Sequence, residues 1–127
     1  MRAVVFDDDA QVRDLIAKVL TQRRYTVLTY PTSHGFCATE RDSCPYKNEV
    51  RCADIVISDI QMHGESGLEF AARLRKKQCP IPHIALLSGN WTTDLIATGR
   101  QLGCEIFHKP VPLNDLLHWI DRCKTPR

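Results

Sequence analysis

The chain has 127 residues, 43% of them hydrophobic, which suits one domain with one buried core and excludes a second. Seventeen Lys and Arg against fifteen Asp and Glu leave a formal charge of +2, too balanced for nucleic-acid binding by charge alone. No stretch is long and apolar enough to span a bilayer, and Met1 to Phe6 runs straight into acidic residues instead of the apolar segment of a signal peptide, so a cytoplasmic location is expected.

Ala3-Val4-Val5-Phe6 is a short apolar run without polar alternation, the pattern of a strand covered on both faces, and it ends in Asp7-Asp8-Asp9. Val12, Leu15, Ile16 and Val19 then recur at helical spacing and predict an amphipathic helix. Tyr25 to Tyr30, with β-branched and aromatic content, predicts a second strand. Beyond an irregular stretch from Thr32 to Cys52, Ala53 to Ser58 predicts a third strand leading into Asp59, and Gly67 to Lys77 a short helix. Ile84 to Leu87 reads as a fourth strand ending in Ser88. Thr92 to Leu102 reads as a helix, opened by Thr92 or Thr93 as N-cap and closed by Gly103. Glu105 to His108 predicts a fifth strand ending in Lys109-Pro110, and Leu113, Leu116, Leu117 and Ile120 form the stripe of a last helix. A single domain over 1–124 with a short tail, 125–127, is the expected organisation.

Strands alternating with helices predict an α/β fold: a three-layer, doubly wound, five-stranded parallel sheet. Right-handed crossovers place helices on both faces and gather the loops after the strands at one edge. Asp7, Asp8, Asp9, Asp59, Ser88 and Lys109 then meet at that edge. Clustered carboxylates repel one another unless a hard divalent cation such as Mg²⁺ sits among them, and Lys109 adds further positive charge. A carboxylate beside Mg²⁺, a lysine and a hydroxyl suits phosphoryl transfer, since the cations offset charge on the transferring oxygens while the carboxylate attacks in line. Taken singly, the three aspartates could be a turn and helix cap, Ser88 a turn former and Lys109-Pro110 an ordinary loop. Their joint occurrence decides the reading.

Val4-Val5-Phe6-Asp7-Asp8-Asp9, Asp54 to Met62 with Gly64, Gly67 and Leu68, Ile84 to Ser88, and Lys109-Pro110 together resemble the receiver domain of bacterial response regulators, over essentially the whole chain. The resemblance implies a flavodoxin-like strand order 2-1-3-4-5. It implies that Asp59 accepts a phosphoryl group from a sensor histidine kinase or phosphotransfer protein. Asp8, Asp59 and the Gln61 backbone carbonyl would hold Mg²⁺ or Mn²⁺, with Asp7 helping through water. Ser88 and Lys109 would bond the phosphoryl group, while Gln61 and Asn90 occupy positions that tune its hydrolysis. Two positions depart from the family: His63 stands at a usual proline, and Ile106, followed by Phe107, stands at a usual switch aromatic.

The segment from Thr32 to Cys52 is longer than the family's second helix and its connection, and Pro31, Gly35 and Pro45 discourage a continuous helix, so an irregular or extended region is expected. His34, Cys37, Cys44 and Cys52 offer a zinc ligand set, or a disulfide such as Cys44 to Cys52, or simply small buried side chains in a loop. Cys79, Cys104 and Cys123 read as core fillers.

The expected function is a phosphoaccepting switch with a protein-binding output surface, acting without nucleic acid or membrane, as a monomer or weak phosphorylation-dependent dimer. Two alternatives stand beside it. One is a pseudo-receiver used as a constitutive docking module; the other is a Mg²⁺-dependent phosphohydrolase with an aspartyl nucleophile, which would need an added acid-base residue and a substrate cap.

Overall fold

The structure, a computed structural model, describes residues 1–33, 53–62, 64–78 and 81–124. His34, Cys37, Cys44 and Cys52, the stretch 34–52 for which an irregular or extended second-helix region is expected, His63 and Cys79 lie outside the described residues.

The apolar runs form the strands β1 (Arg2–Phe6), β2 (Thr26–Tyr30), β3 (Ile55–Asp59), β4 (His83–Ser88) and β5 (Cys104–His108). All pair in parallel, in the order β2-β1-β3-β4-β5. The helices are α1 (Ala10–Gln22), α2 (Gly67–Lys76), α3 (Thr93–Gln101) and α4 (Leu113–Cys123). Strand β3 begins two residues later than its apolar run suggests and extends to Asp59. There the ladder continues because Asp59 pairs with Leu87.

Strand alternation sorts the core into two layers. Val4, Phe6, Val56, Ile84 and Leu86 pack with Leu68, Phe70 and Leu74 of α2 on one face. Ala3, Val5, Ile55, Ile57, Ala85 and Leu87 pack with Ile16 and Leu20 of α1 and Leu116 and Ile120 of α4 on the other. Each fully buried aliphatic or aromatic side chain contributes roughly 1.5–3 kcal/mol, so apolar packing dominates what holds the helices to the sheet.

The helix ends are chemically marked. Ser66 and Glu69 form a capping box at α2, the Ser66 hydroxyl accepting from Glu69 N while the Glu69 carboxylate accepts from Ser66 N. Thr92 caps α3 by accepting from Leu95 N. Gly103, at φ +77°, ends the turn after α3 in a left-handed conformation that glycine adopts without penalty.

Register lines up the carboxyl ends of the strands, with Phe6 opposite Ser58, Asp59 opposite Leu87 and Ser88 opposite His108. Hydrogen bonds continue one residue further: Asp7 N donates to Tyr30 O, Ile60 N to Leu87 O, and Lys109 N to Ser88 O. Residues that just leave the sheet are thereby held almost as firmly as residues within it.

Candidate functional site

Asp7, Asp59 and Ser88 are buried at this sheet edge, whereas Asp8 is exposed. Asp7, Asp8 and Asp59 each offer a carboxylate oxygen, and these oxygens lie within 4.8 Å of one another. The acidic triplet divides its work. Asp9 is the N-cap of α1, its carboxylate accepting from Gln11 N at 2.9 Å and Val12 N at 3.4 Å. Asp7 Oδ1 accepts from Asp9 N at 2.9 Å, which fixes the turn and directs Asp7 Oδ2 to Lys109. Arg13 donates to the Asp7 carbonyl at 2.8 Å, a tie from α1 to the site that lies outside the sequence reading.

The Lys109 ammonium bridges the buried carboxylates, 3.1 Å from Asp7 Oδ2 and 3.2 Å from Asp59 Oδ2. Burial opposes the charge on Lys109, but the two carboxylates outweigh it and hold its pKa above the ordinary value. Burial and the Asp7 charge push the Asp59 pKa up, against the downward pull of Lys109 and of the Gln61 N–H, which donates to Asp59 Oδ1 at 3.2 Å. Two carboxylates and one ammonium leave the pocket short of positive charge. All-oxygen donors with excess negative charge fit a hard divalent cation.

The loop after Asp59 is built to carry the carboxylate. A Cβ added at Gly67 would meet Asp59 O at 2.5 Å and Ile60 Cα at 3.1 Å, so only glycine lets α2 start this close to the acceptor strand. Gly67 N also donates to Ile60 O. Glu65, in the same loop, accepts two hydrogen bonds from Arg73 and one from Ser33. Burial works against the Glu65 charge, yet these partners outweigh it and lower its pKa. A cleft of about 400 Å³ lined by Asp8, Ile60, Gln61, Met62 and Ser66 opens beside the carboxylates.

On the other side, Ser88 Oγ accepts from Asn90 N at 3.0 Å, and both Gln61 and Asn90 are exposed at the rim. The Lys109–Pro110 peptide is cis. The structure therefore brings Asp7, Asp8, Asp59, Ser88, Lys109, Gln61 and Asn90 to one edge, as expected from the sequence. Sequence reasoning missed the tie from Arg13, the close approach at Gly67 and the Glu65 network. The nearest local signal, the Ser66-x-x-Glu69 capping box, marks where α2 begins but announces none of the three.

A doubly wound sheet of order 2-1-3-4-5 carrying an acidic pocket and a lysine at its carboxyl edge defines a receiver-type switch domain. The profile of the response regulator receiver domain matches residues 3–121, and the chain belongs to that family. Among curated relatives, the uncharacterized transcriptional regulatory protein YbdJ of Bacillus subtilis is 28% identical over 116 residues, covering 91% of this chain and 47% of YbdJ. Regulatory protein VanR of Enterococcus faecium is 32% identical over 104 residues, covering 82% of this chain and 41% of VanR. The chain thus spans about half the length or less of these relatives. Among solved structures, the chemotaxis protein CheY4 of Vibrio cholerae superposes with a TM-score of 0.74 at 22% identity, covering 96% of this chain and 97% of its own. A response regulator receiver protein from Pseudomonas putida gives 0.76 at 23% identity, with 95% of both chains covered. The BeF3-activated DrrB receiver domain gives 0.76 at 20%, covering 96% of this chain and 95% of that one. These structural likenesses establish the fold.

Proposed function

We propose that Asp59 is the phosphoacceptor of this receiver domain, taking a phosphoryl group from the phosphohistidine of a sensor histidine kinase or phosphotransfer protein. The observation that carries this reading is the Asp59 carboxylate itself, buried at a strand end between a second carboxylate and an ammonium 3.2 Å away. Its oxygen attacks phosphorus in line while the bond to the donor nitrogen breaks, giving an aspartyl phosphate.

Receiver domains bind Mg²⁺ at an acidic site, and Asp7, Asp8 and Asp59 form a compatible donor set. Asp8, Asp59 and the Gln61 carbonyl would hold the ion, with Asp7 assisting through water; Mn²⁺ suits the same oxygen donors. When bound, the ion neutralises charge on the transferring oxygens. Lys109 supplies the second positive charge, and the Ser88 hydroxyl turns from its bond with Asn90 N to donate to the phosphoryl group. That turn repositions the loop before α3 and changes a surface read by a partner protein. The domain works over 1–124, as a monomer or weak phosphorylation-dependent dimer, and makes no external product.

Incubation with Mg²⁺ and acetyl phosphate tests the reading. Phosphoacceptance predicts one acid-stable, alkali-labile adduct that Asp59→Asn abolishes. No adduct indicates a pseudo-receiver docking module, and steady release of phosphate from many substrates indicates a phosphohydrolase.

A further inference from the structure

The loop from Ser88 to Thr92 joins the acceptor site to α3, and its one large side chain, Trp91, is tied to the neighbouring strand. The Trp91 indole N–H donates to the Phe107 carbonyl of β5 at 2.8 Å. Its ring lies edge-on to His108, with centroids 6.4 Å apart, and packs on the core layer containing Ile84 and Leu86. Three residues earlier, Ser88 Oγ is engaged by Asn90 N. One residue later, Thr92 caps the first turn of α3. Trp91 therefore stands between the hydroxyl that would meet a phosphoryl group and the start of the helix that would move.

Ile106 has a different role. Its Cδ1 lies 2.7 Å from where a Cβ on Gly99 would be, so it packs directly on the backbone of α3 and holds that helix against β5. A short branched side chain wedged there has little freedom to swing. The indole, attached to the loop and bonded to the strand, can change partner when the loop moves.

We propose that Trp91 is the positioning residue through which this domain reports phosphorylation: its hydrogen bond to Phe107 latches the β4–α3 loop in the resting state, and turning Ser88 toward the acceptor site releases it. The proposal rests on Asp59 being the acceptor. A bond present only in the resting state opposes activation by its own free energy, so removing it shifts the population toward the active arrangement.

The test uses the full chain, with Mg²⁺ and beryllofluoride as a phosphoryl mimic. Fluorine NMR reports whether the mimic binds, and proton–nitrogen NMR follows the Trp91 indole N–H, assigned by its loss in Trp91→Phe. With bound mimic, the indole resonance shifts and its exchange with water quickens, by roughly three- to tenfold for one neutral hydrogen bond. Trp91→Phe, which keeps an aromatic ring but no donor, binds the mimic tighter by a similar factor. Bound mimic with an unmoved Trp91 indole overturns the latch alone, as does unchanged or weaker binding by a folded Trp91→Phe. A wild-type chain that binds no mimic overturns the acceptor reading, and the latch with it.

Discussion

The Lys109 ammonium lies 3.2 Å from Oδ2 of Asp59, and that contact links the last strand to the carboxyl end of the third. It does not balance the pocket, because the same ammonium also serves Asp7 at 3.1 Å. Burial first, and the Asp7 charge second, raise the Asp59 pKa above its unfolded value. A carboxyl group raised in this way favours the folded state below its unfolded pKa, and that contribution is lost as pH rises through the folded pKa. At neutral pH, then, ionised Asp59 weakens the metal-free fold. Asp59→Asn should raise the melting temperature in EDTA at pH 7 by a few degrees, the shift that about 1 kcal/mol gives in a domain of this size. The gain should shrink as pH falls into the carboxylate range; a lower melting temperature for the variant at pH 7 would contradict the argument.

Divalent cation should relieve the same repulsion. Mg²⁺ at a hundredfold excess over its Kd stabilises the fold by about 2.7 kcal/mol if it binds only the folded state. Asp8 is exposed and caps no helix, so Asp8→Ala should leave the metal-free melting temperature nearly unchanged while removing most of the Mg²⁺-induced rise. Thermal unfolding with and without Mg²⁺ separates the two effects.

Gly67 gives a prediction from packing alone. Gly67→Ala drives a methyl group to 2.5 Å from the Asp59 carbonyl oxygen, a backbone atom of the last residue of β3 that also accepts from the Ser58 hydroxyl. The expected cost is roughly 1–3 kcal/mol in denaturant unfolding, together with slower adduct formation because the acceptor strand end shifts. Normal stability with normal phosphorylation would show that α2 can move away freely.

Much of this architecture was legible because burial on both faces writes continuous apolar runs. Ala3 to Phe6, Ile84 to Leu87 and the Ile55-Val56-Ile57 centre needed no tertiary information to read as strands. Gly103 and Thr92 marked α3 through local backbone chemistry. What escaped the sequence depends on distance across the fold. Nothing local announces that Gly67 must pass beneath Asp59 O, that Arg13 reaches Asp7 O, or that the Trp91 indole bonds to β5. Asp9 shows the converse: within a run of three aspartates the plain helix-cap reading was right for one residue, while its neighbours line the pocket.

Gln61 and Asn90 are both exposed at the mouth of the pocket, each two residues beyond a side chain assigned to phosphoryl binding. Their amides can orient an attacking water. Gln61→Met with Asn90→Ala should lengthen the acyl-phosphate lifetime severalfold, measured as decay of phosphoprotein after the donor is removed. An unchanged lifetime would remove both residues from the hydrolysis step.

Chemical trapping tests the identity of the acceptor most directly. Phosphorylated protein is reduced with borohydride, which converts an aspartyl phosphate to homoserine, and the modified residue is located by peptide mass spectrometry. Homoserine is expected at Asp59 alone; modification at Asp7, Asp8 or Asp9 in place of Asp59, or none in protein that carries phosphate, would show that Asp59 is not the acceptor.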